Sequence, residues 1–208
     1  MFLDPVVGAF ELFPIFLKLA GRRVLVVGGG PVAAGKIDAL RAAGADVTVV
    51  APDVCDRIRQ AGVTIVTRPF EPSDLDGAWL VVAAATPEVN RAVAAEADTR
   101  PVFVNAVDDP SNASAYLGAV LRRDDVAIAI STNGRAPALA GLIREGLDAM
   151  LPEDLDTWFD VADALKRHWR STGVPMDARR PQLLDALIKV YENRETGELA
   201  GTGKGERS

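Results

Sequence analysis

From Arg22 onward the apolar residues fall into short, regularly interrupted blocks. Val24-Leu25-Val26-Val27 is brief, branched and continuous, the pattern of a strand buried on both faces. Gly28 ends it. Val32 to Ala43 then places Val32, Ala33, Ile37, Leu40 and Ala43 at helical spacing and stops at Gly44, the usual residue just past a helix. A second strand follows at Val47 to Val50, then a helix at Val54 to Ala61, strands at Val63 to Val66 and Trp79 to Ala83, a helix at Val89 to Ala97, and a strand at Val102 to Val104. Such alternation predicts the α/β class, with a parallel sheet covered on both faces. After Pro110 the rhythm changes. Ser114 to Leu121 and Val126 to Ile130 read as a hairpin joined through Arg122-Arg123-Asp124-Asp125. Ala136 to Met150 reads as a helix with Leu139, Leu142, Ile143 and Leu147 on one face, followed by helices at Leu155 to Trp169 and Pro181 to Tyr191 around the loop Ser171 to Pro175. The chain thus divides into an α/β part (1–112), a small α+β segment (113–150), a helical domain (151–192) and a tail (193–208). That tail is poor in large apolar side chains and is expected to be disordered. No internal repeat is present.

Composition narrows the function classes. The 208 residues are 49% hydrophobic, with 23 basic against 29 acidic side chains and a net charge of −6. The acidic balance argues against a nucleic-acid partner while leaving room for a local basic pocket. The one cysteine, Cys55, provides neither an internal disulfide nor a cysteine metal cluster. Asp4 and Glu11 interrupt what a secretory signal would need, and the apolar run Phe13 to Leu19 is far shorter than the roughly 20 residues that span a bilayer. The sequence therefore predicts a cytoplasmic protein with no membrane partner.

Gly28-x-Gly30-x-x-Ala33 lies between a buried strand and a helix, the context that turns a weak pattern into a dinucleotide-binding, Rossmann-like signal. Gly28 permits the tight turn, Gly30 the close approach of a pyrophosphate, and Ala33 tight helix packing, while Pro31-Val32 opens a helix whose positive dipole end faces the phosphates. A ligand-free glycine connection is the alternative. An acidic residue is expected at the end of the second strand to bond the ribose. Asp53, just past that strand tip, can fill this role or cap the next helix. The tip carries no arginine, which favours NAD over NADP, although Arg57 and Arg59 follow closely.

The segments "LFPIFLKLAGRRVLVVGGGPVAAGK", "RPFEPSDLDGAWLVVAAAT", "VNAVDDP" and "AIAISTNGRAPALAGLIREGL" resemble, in order and spacing, the precorrin-2 dehydrogenases, including the N-terminal half of sirohaem synthases. The resemblance covers about residues 12 to 150. It implies NAD-dependent oxidation of precorrin-2 to sirohydrochlorin by a homodimer, with the segment after the Rossmann domain forming much of the interface. In some members iron is also inserted, so the resemblance admits ferrous iron as a further substrate and a sirohydrochlorin ferrochelatase (lyase) activity. Carried onto this chain, the cofactor residues are Gly28, Gly29, Gly30, Pro31, Val32, Pro52, Asp53, Ala84, Ala85 and Thr86. The family's key aspartate matches Asp108 in Asn105-Ala106-Val107-Asp108, and substrate contacts fall at Asn105, Ser114, Ser131, Thr132, Asn133, Gly134 and Arg135.

Physical reasoning reaches Asp108 independently. It follows the strand Val102 to Val104, beyond the carboxyl end where open α/β sheets bind ligands, and a carboxylate there can take a proton. It can equally be a turn residue ahead of Pro110, with Asp109 a competitor for either role. Ser131 to Gly134 can line a cleft or cap the following helix. Arg135 and Arg144 are candidate cations for a substrate with eight carboxylates, or plain solvated arginines. The chain departs from the family at Ser114 to Ala119 and at Ala85 to Glu88, and His168 is its one histidine. Residues supplying a multi-histidine metal site are therefore not expected. An NAD(H)-binding redox sensor without catalysis, or a dehydrogenase of another small substrate, remains open, since fold alone does not choose.

Overall fold

Five short apolar strands, each flanked by glycine, proline or an acidic turn, assemble into one parallel sheet in a computed structural model that describes residues 12–107 and 109–195. The strands are β1 (Arg23–Val27), β2 (Asp46–Ala51), β3 (Thr64–Thr67), β4 (Leu80–Ala83) and β5 (Phe103–Ala106), in the order β3-β2-β1-β4-β5. Every neighbouring pair runs parallel, with Val24 opposite both Val47 and Leu80. Parallel strands need crossovers; α1 (Pro31–Ala42), α2 (Asp56–Arg59) and α3 (Pro87–Ala97) supply those after β1, β2 and β4, while the link from β3 to β4 holds only the single turn Pro72–Leu75.

Alternation along the strands decides what each face holds. Val24 and Val26 join Ala33, Ala34, Ile37 and Leu40 of α1, whereas Leu25 and Val27 join Val93, Ala94 and Ala97 of α3. Both faces are therefore covered, which is why the central strands β1 and β4 carry the continuous apolar runs Val24–Val27 and Leu80–Ala83. Strand order reverses at β1: β2 and β3 lie to one side, β4 and β5 to the other. The crevice outside the carboxyl ends of β1 and β4 is then the place where such a sheet binds ligands.

Most elements follow the pattern of the sequence, with informative shifts. The expected strand Ser114 to Leu121 shortens to β6 (Ala119–Arg123), because Ser114 and Ala115 bond to Val104 beside β5 instead of entering a ladder with β7 (Val126–Ile130). The β6–β7 turn is only Asp124-Asp125, with Asp124 at φ 51°, so Arg122 and Arg123 belong to the strand and not to the connection. The last helix, expected from Pro181, instead begins at Met176 directly after Pro175, and Pro181 lies inside it. It ends at Glu195, so the expected disorder from Asn193 does not hold for 193–195, and the remainder of that expectation, 196–208, lies outside the described residues.

The described residues form two compact units, 12–119 with 130–142, and 120–129 with 143–195. Segment 113–150 contributes to both. The second unit holds most of the hairpin, the end of α4 (Pro137–Met150), α5 (Leu155–Thr172) and α6 (Met176–Glu195). Arg123 of β6 donates to the carbonyls of Asp148, Leu151 and Pro152, a cation placed at the negative end of α4. Trp158 donates to the Tyr191 hydroxyl and Trp169 to Gln182, each at 2.6 Å, which ties α5 to α6. Among the described residues no helix is long and apolar enough to cross a membrane.

Ahead of β4, Asp74 caps the single turn Pro72–Leu75 through the Glu71 N–H and takes two bonds, of 2.8 and 2.6 Å, from Arg68. The Arg68 guanidinium holds the Asp74 carboxyl below the usual aspartate range. A depressed folded pKa means that this stabilisation is complete above the ordinary aspartate value and is lost as pH falls through the lowered one. We expect Asp74→Asn to cost about 2 kcal/mol at pH 7, the scale of a charge-assisted hydrogen bond, and to weaken the acid dependence. Urea unfolding at pH 7 and pH 3 checks this; equal losses at both values would refute the assignment.

Candidate functional site

The β1–α1 turn is held by its neighbours through backbone alone. The Gly28 N–H donates to the Val50 carbonyl at 3.0 Å, and the Cys55 N–H donates to the Gly29 carbonyl at 2.8 Å. Gly28 has φ 125°, and a Cβ there would lie 2.2 Å from the Ala84 oxygen. At Gly29 a Cβ would lie 1.8 Å from the Asp53 oxygen. Both positions must therefore be glycine for the three loops after β1, β2 and β4 to meet.

Gly30 differs. A Cβ there meets nothing within 4 Å, and its backbone is ordinary extended chain, φ −84° and ψ −179°. It is the N-cap of α1, makes no side-chain cap bond, and is followed by Pro31 at the first helical position. An uncapped helix start with open space before it fits a pyrophosphate, because the first-turn N–H groups and the dipole both favour an anion there. Val32, in the first turn of α1, is half exposed.

The second loop carries Pro52 and Asp53. Asp53 does not cap α2, whose N-cap is Cys55; its Oδ1 accepts the Val54 N–H and Arg59 Nη2, each at 2.8 Å. Arg57 pairs with Asp38. The third loop is Ala84, Ala85 and Thr86. The Ala84 N–H donates to the Val27 carbonyl, and the Ala85 N–H donates at 3.0 Å to Oδ1 of Asn90, a buried side chain of α3 that sequence reading missed. Nothing in the sequence marks Asn90, since a polar residue on a helix normally faces water. Thr86 is the N-cap of α3, and Glu88 is held below the usual carboxylate range by its own N–H first and by the Thr86 hydroxyl second.

Beside the end of β5 lies a cleft of about 560 Å³. Its walls come from Asn105 to Val107, Asp109, the loop up to Ala119, Ile130 to Thr132, Gly134 and the start of α4, with Lys36 entering from α1. Asp108 lies outside the described residues, two positions beyond β5 in the chain. Asp109 is committed to structure: Ser111 Oγ and Asn112 Nδ2 each donate to its carboxylate at 2.6 Å, and these bonds, Ser111 first, hold it well ionised below the usual aspartate range. A carboxylate so satisfied is a weak proton acceptor at neutral pH.

The predicted substrate residues separate. Asn105 reaches the cleft and donates through Nδ2 to the Ala115 carbonyl at 3.0 Å. Ser114 is absent from the lining, and its hydroxyl oxygen accepts the Val104 N–H at 2.8 Å. Ser131, Thr132 and Gly134 line the cleft, Ser131 accepting the Asn133 N–H and Thr132 the Ala136 N–H. Both hydroxyls thus brace the turn itself, since neither bond reaches an N–H of α4, which begins at Pro137. Gly134, at φ 74°, packs against Pro110 and Tyr116. Asn133 and Arg135 are exposed and outside the lining, and Arg144 pairs with Glu145.

Comparison with known proteins agrees with this geometry. Residues 15–119 match a family model described as "Putative NAD(P)-binding", and 123–150 match one for the sirohaem biosynthesis protein central region. The chain belongs to the sirohaem synthase family, in its NAD(P)-binding N-terminal half. It is similar to siroheme synthase of Photorhabdus laumondii, 42% identical over 175 residues, and to siroheme synthase 3 of Aeromonas hydrophila, 38% identical over 175 residues. In each case the match covers 82% of this chain and 37% of the relative, so the chain spans little more than a third of those proteins. Among solved structures it is similar to "SirC, precorrin-2 dehydrogenase", with 26% identity, a TM-score of 0.64, and 84% and 88% of the two chains covered.

The contrast between adjacent glycines yields a test of the nucleotide loop. Gly30→Ala should fold with unchanged thermal stability yet bind NAD at least about tenfold more weakly, a loss of about 1.4 kcal/mol. Gly29→Ala should lose thermal stability as well, because its methyl meets backbone. Calorimetric titration and thermal melts separate the two; normal NAD affinity in Gly30→Ala would remove the pyrophosphate assignment.

Proposed function

We propose that this chain oxidises precorrin-2 to sirohydrochlorin, transferring a hydride to NAD and releasing a proton. The observation that carries the reading is a nucleotide loop and a cleft with a mostly apolar wall and a few polar groups on one unit, both at the carboxyl side of the same parallel sheet. Similarity to sirohaem synthases and to a precorrin-2 dehydrogenase structure supports the substrate. NAD, when bound, supplies the hydride acceptor.

Each loop of the chain has its part. The α1 start binds the pyrophosphate through Gly30 and the N–H groups beyond Pro31. Asp53 faces the ribose and repels a 2′-phosphate, and Arg59, already paired with Asp53, does not offer itself to one. This favours NAD over NADP. Asn90 and Thr86 fix the third loop. Asp108 takes the proton released as the hydride leaves; the satisfied carboxylate of Asp109 makes the neighbouring aspartate the poorer choice. Asn105 and the Ser131 to Gly134 turn position the tetrapyrrole.

The working assembly is a homodimer in a cytoplasmic setting. On α4, Leu139, Leu142, Ile143 and Met150 are all exposed at helical spacing, an apolar stripe that a second copy would cover. Ferrous iron is a second substrate in this reading, inserted into sirohydrochlorin after the oxidation.

Asp108→Asn is expected to reduce anaerobic turnover of precorrin-2 by 10² to 10⁴, on the order of a general base's contribution, while NAD affinity changes less than about twofold. Absorbance at 340 nm and calorimetry give the two readouts. Full turnover in the variant would move the proton acceptor elsewhere.

A further inference from the structure

The cleft beside β5 has one basic side chain among its described lining residues, Lys36. Sequence reading looked for substrate cations at Arg135 and Arg144, yet neither lines it, and Arg144 is paired with Glu145. Lys36 is partly buried on the second turn of α1, four residues after Val32 and so on the same face. It lies six positions beyond Gly30, about 9 Å of rise at 1.5 Å per residue. One rigid helix therefore presents its N-terminus to the nucleotide loop and the Lys36 side chain to the adjoining cleft. The same cleft holds the ionised Asp109, and that charge repels any anionic ligand. A polycarboxylate needs a cation there to enter.

We infer that Lys36 is a substrate-positioning residue whose ammonium binds a peripheral carboxylate of the tetrapyrrole and fixes the ring against the nucleotide end of α1. The inference rests on the precorrin-2 reading for its substrate. A lysine suits the task, because a flexible stem and a point charge can follow a flexible acetate or propionate arm.

The test uses two probes on the intact chain: precorrin-2 with NAD under anaerobic conditions, and uroporphyrin, an octacarboxylate tetrapyrrole that cannot undergo the reaction, followed by fluorescence. Lys36→Met should raise KM for precorrin-2 and Kd for uroporphyrin at least about tenfold, with kcat within about threefold and NAD affinity unchanged. Lys36→Arg should recover most of the loss, and the methionine variant should show a shallower dependence on salt. Unchanged uroporphyrin affinity in Lys36→Met would overturn the inference, as would failure of the wild-type chain to bind uroporphyrin. An equal loss of NAD affinity would also overturn it, assigning the lysine to the nucleotide instead. If uroporphyrin binding depends on Lys36 but precorrin-2 is not oxidised, the activity reading fails while the carboxylate site stands.

Discussion

Backbone meeting backbone is the constraint on which this site depends. The turn after β1 touches the loop after β4 at Gly28 and the loop after β2 at Gly29, at separations no Cβ could enter. These contacts draw three loops into one rim at the point where strand order reverses. The rim then needs little else to be chemically competent. Its donors are peptide N–H groups at a helix start, fixed by the fold, so no side-chain entropy is lost in arranging them. Asn90 plays the same part from beneath, holding Ala85 by a buried amide.

The cleft beside β5 follows a different logic, since side chains and irregular backbone form it. Segment 114–118 is held beside Val104 by Ser114 and Ala115, and Asn105 reaches across to Ala115. Gly118 also packs tightly: a Cβ there would lie 2.2 Å from the Ile130 oxygen. Of the segment Ser114 to Ala119, where the sequence departs from the pattern it resembles, Tyr116, Leu117, Gly118 and Ala119 line the cleft, whereas Ala85 to Glu88 do not. Hydrogen bonds from Ser111 and Asn112 keep Asp109 ionised and fix its loop, so this carboxylate serves the structure of the cleft wall.

The strand-and-helix alternation was legible because burial on both faces forces continuous apolar strands, and the α1 helix because glycine and proline bracket its start. Helix ends were less so. Pro181 reads as a helix start, yet Pro175 and Met176 already provide one, and tertiary contacts such as Trp169 with Gln182 carry α6 past the proline. Ser114 resembles a substrate contact in sequence but meets the Val104 N–H in space, a long-range bond no local pattern encodes. Lys36 was missed for the complementary reason: a lysine in an amphipathic helix reads as a solvated face until the cleft beside it is seen. The glycines were legible as a motif, but only the structure separates Gly29, required by the fold, from Gly30, which it leaves open to a ligand.

The central claim is that a nucleotide at the β1–α1 turn and a tetrapyrrole in the adjoining cleft exchange one hydride. The most direct measurement is product stoichiometry when precorrin-2 is mixed anaerobically with excess NAD and the purified chain, NADH and sirohydrochlorin being followed together by absorbance. The account predicts one NADH for each sirohydrochlorin. Protein that binds NAD yet forms neither product, or sirohydrochlorin appearing without NADH, would contradict it.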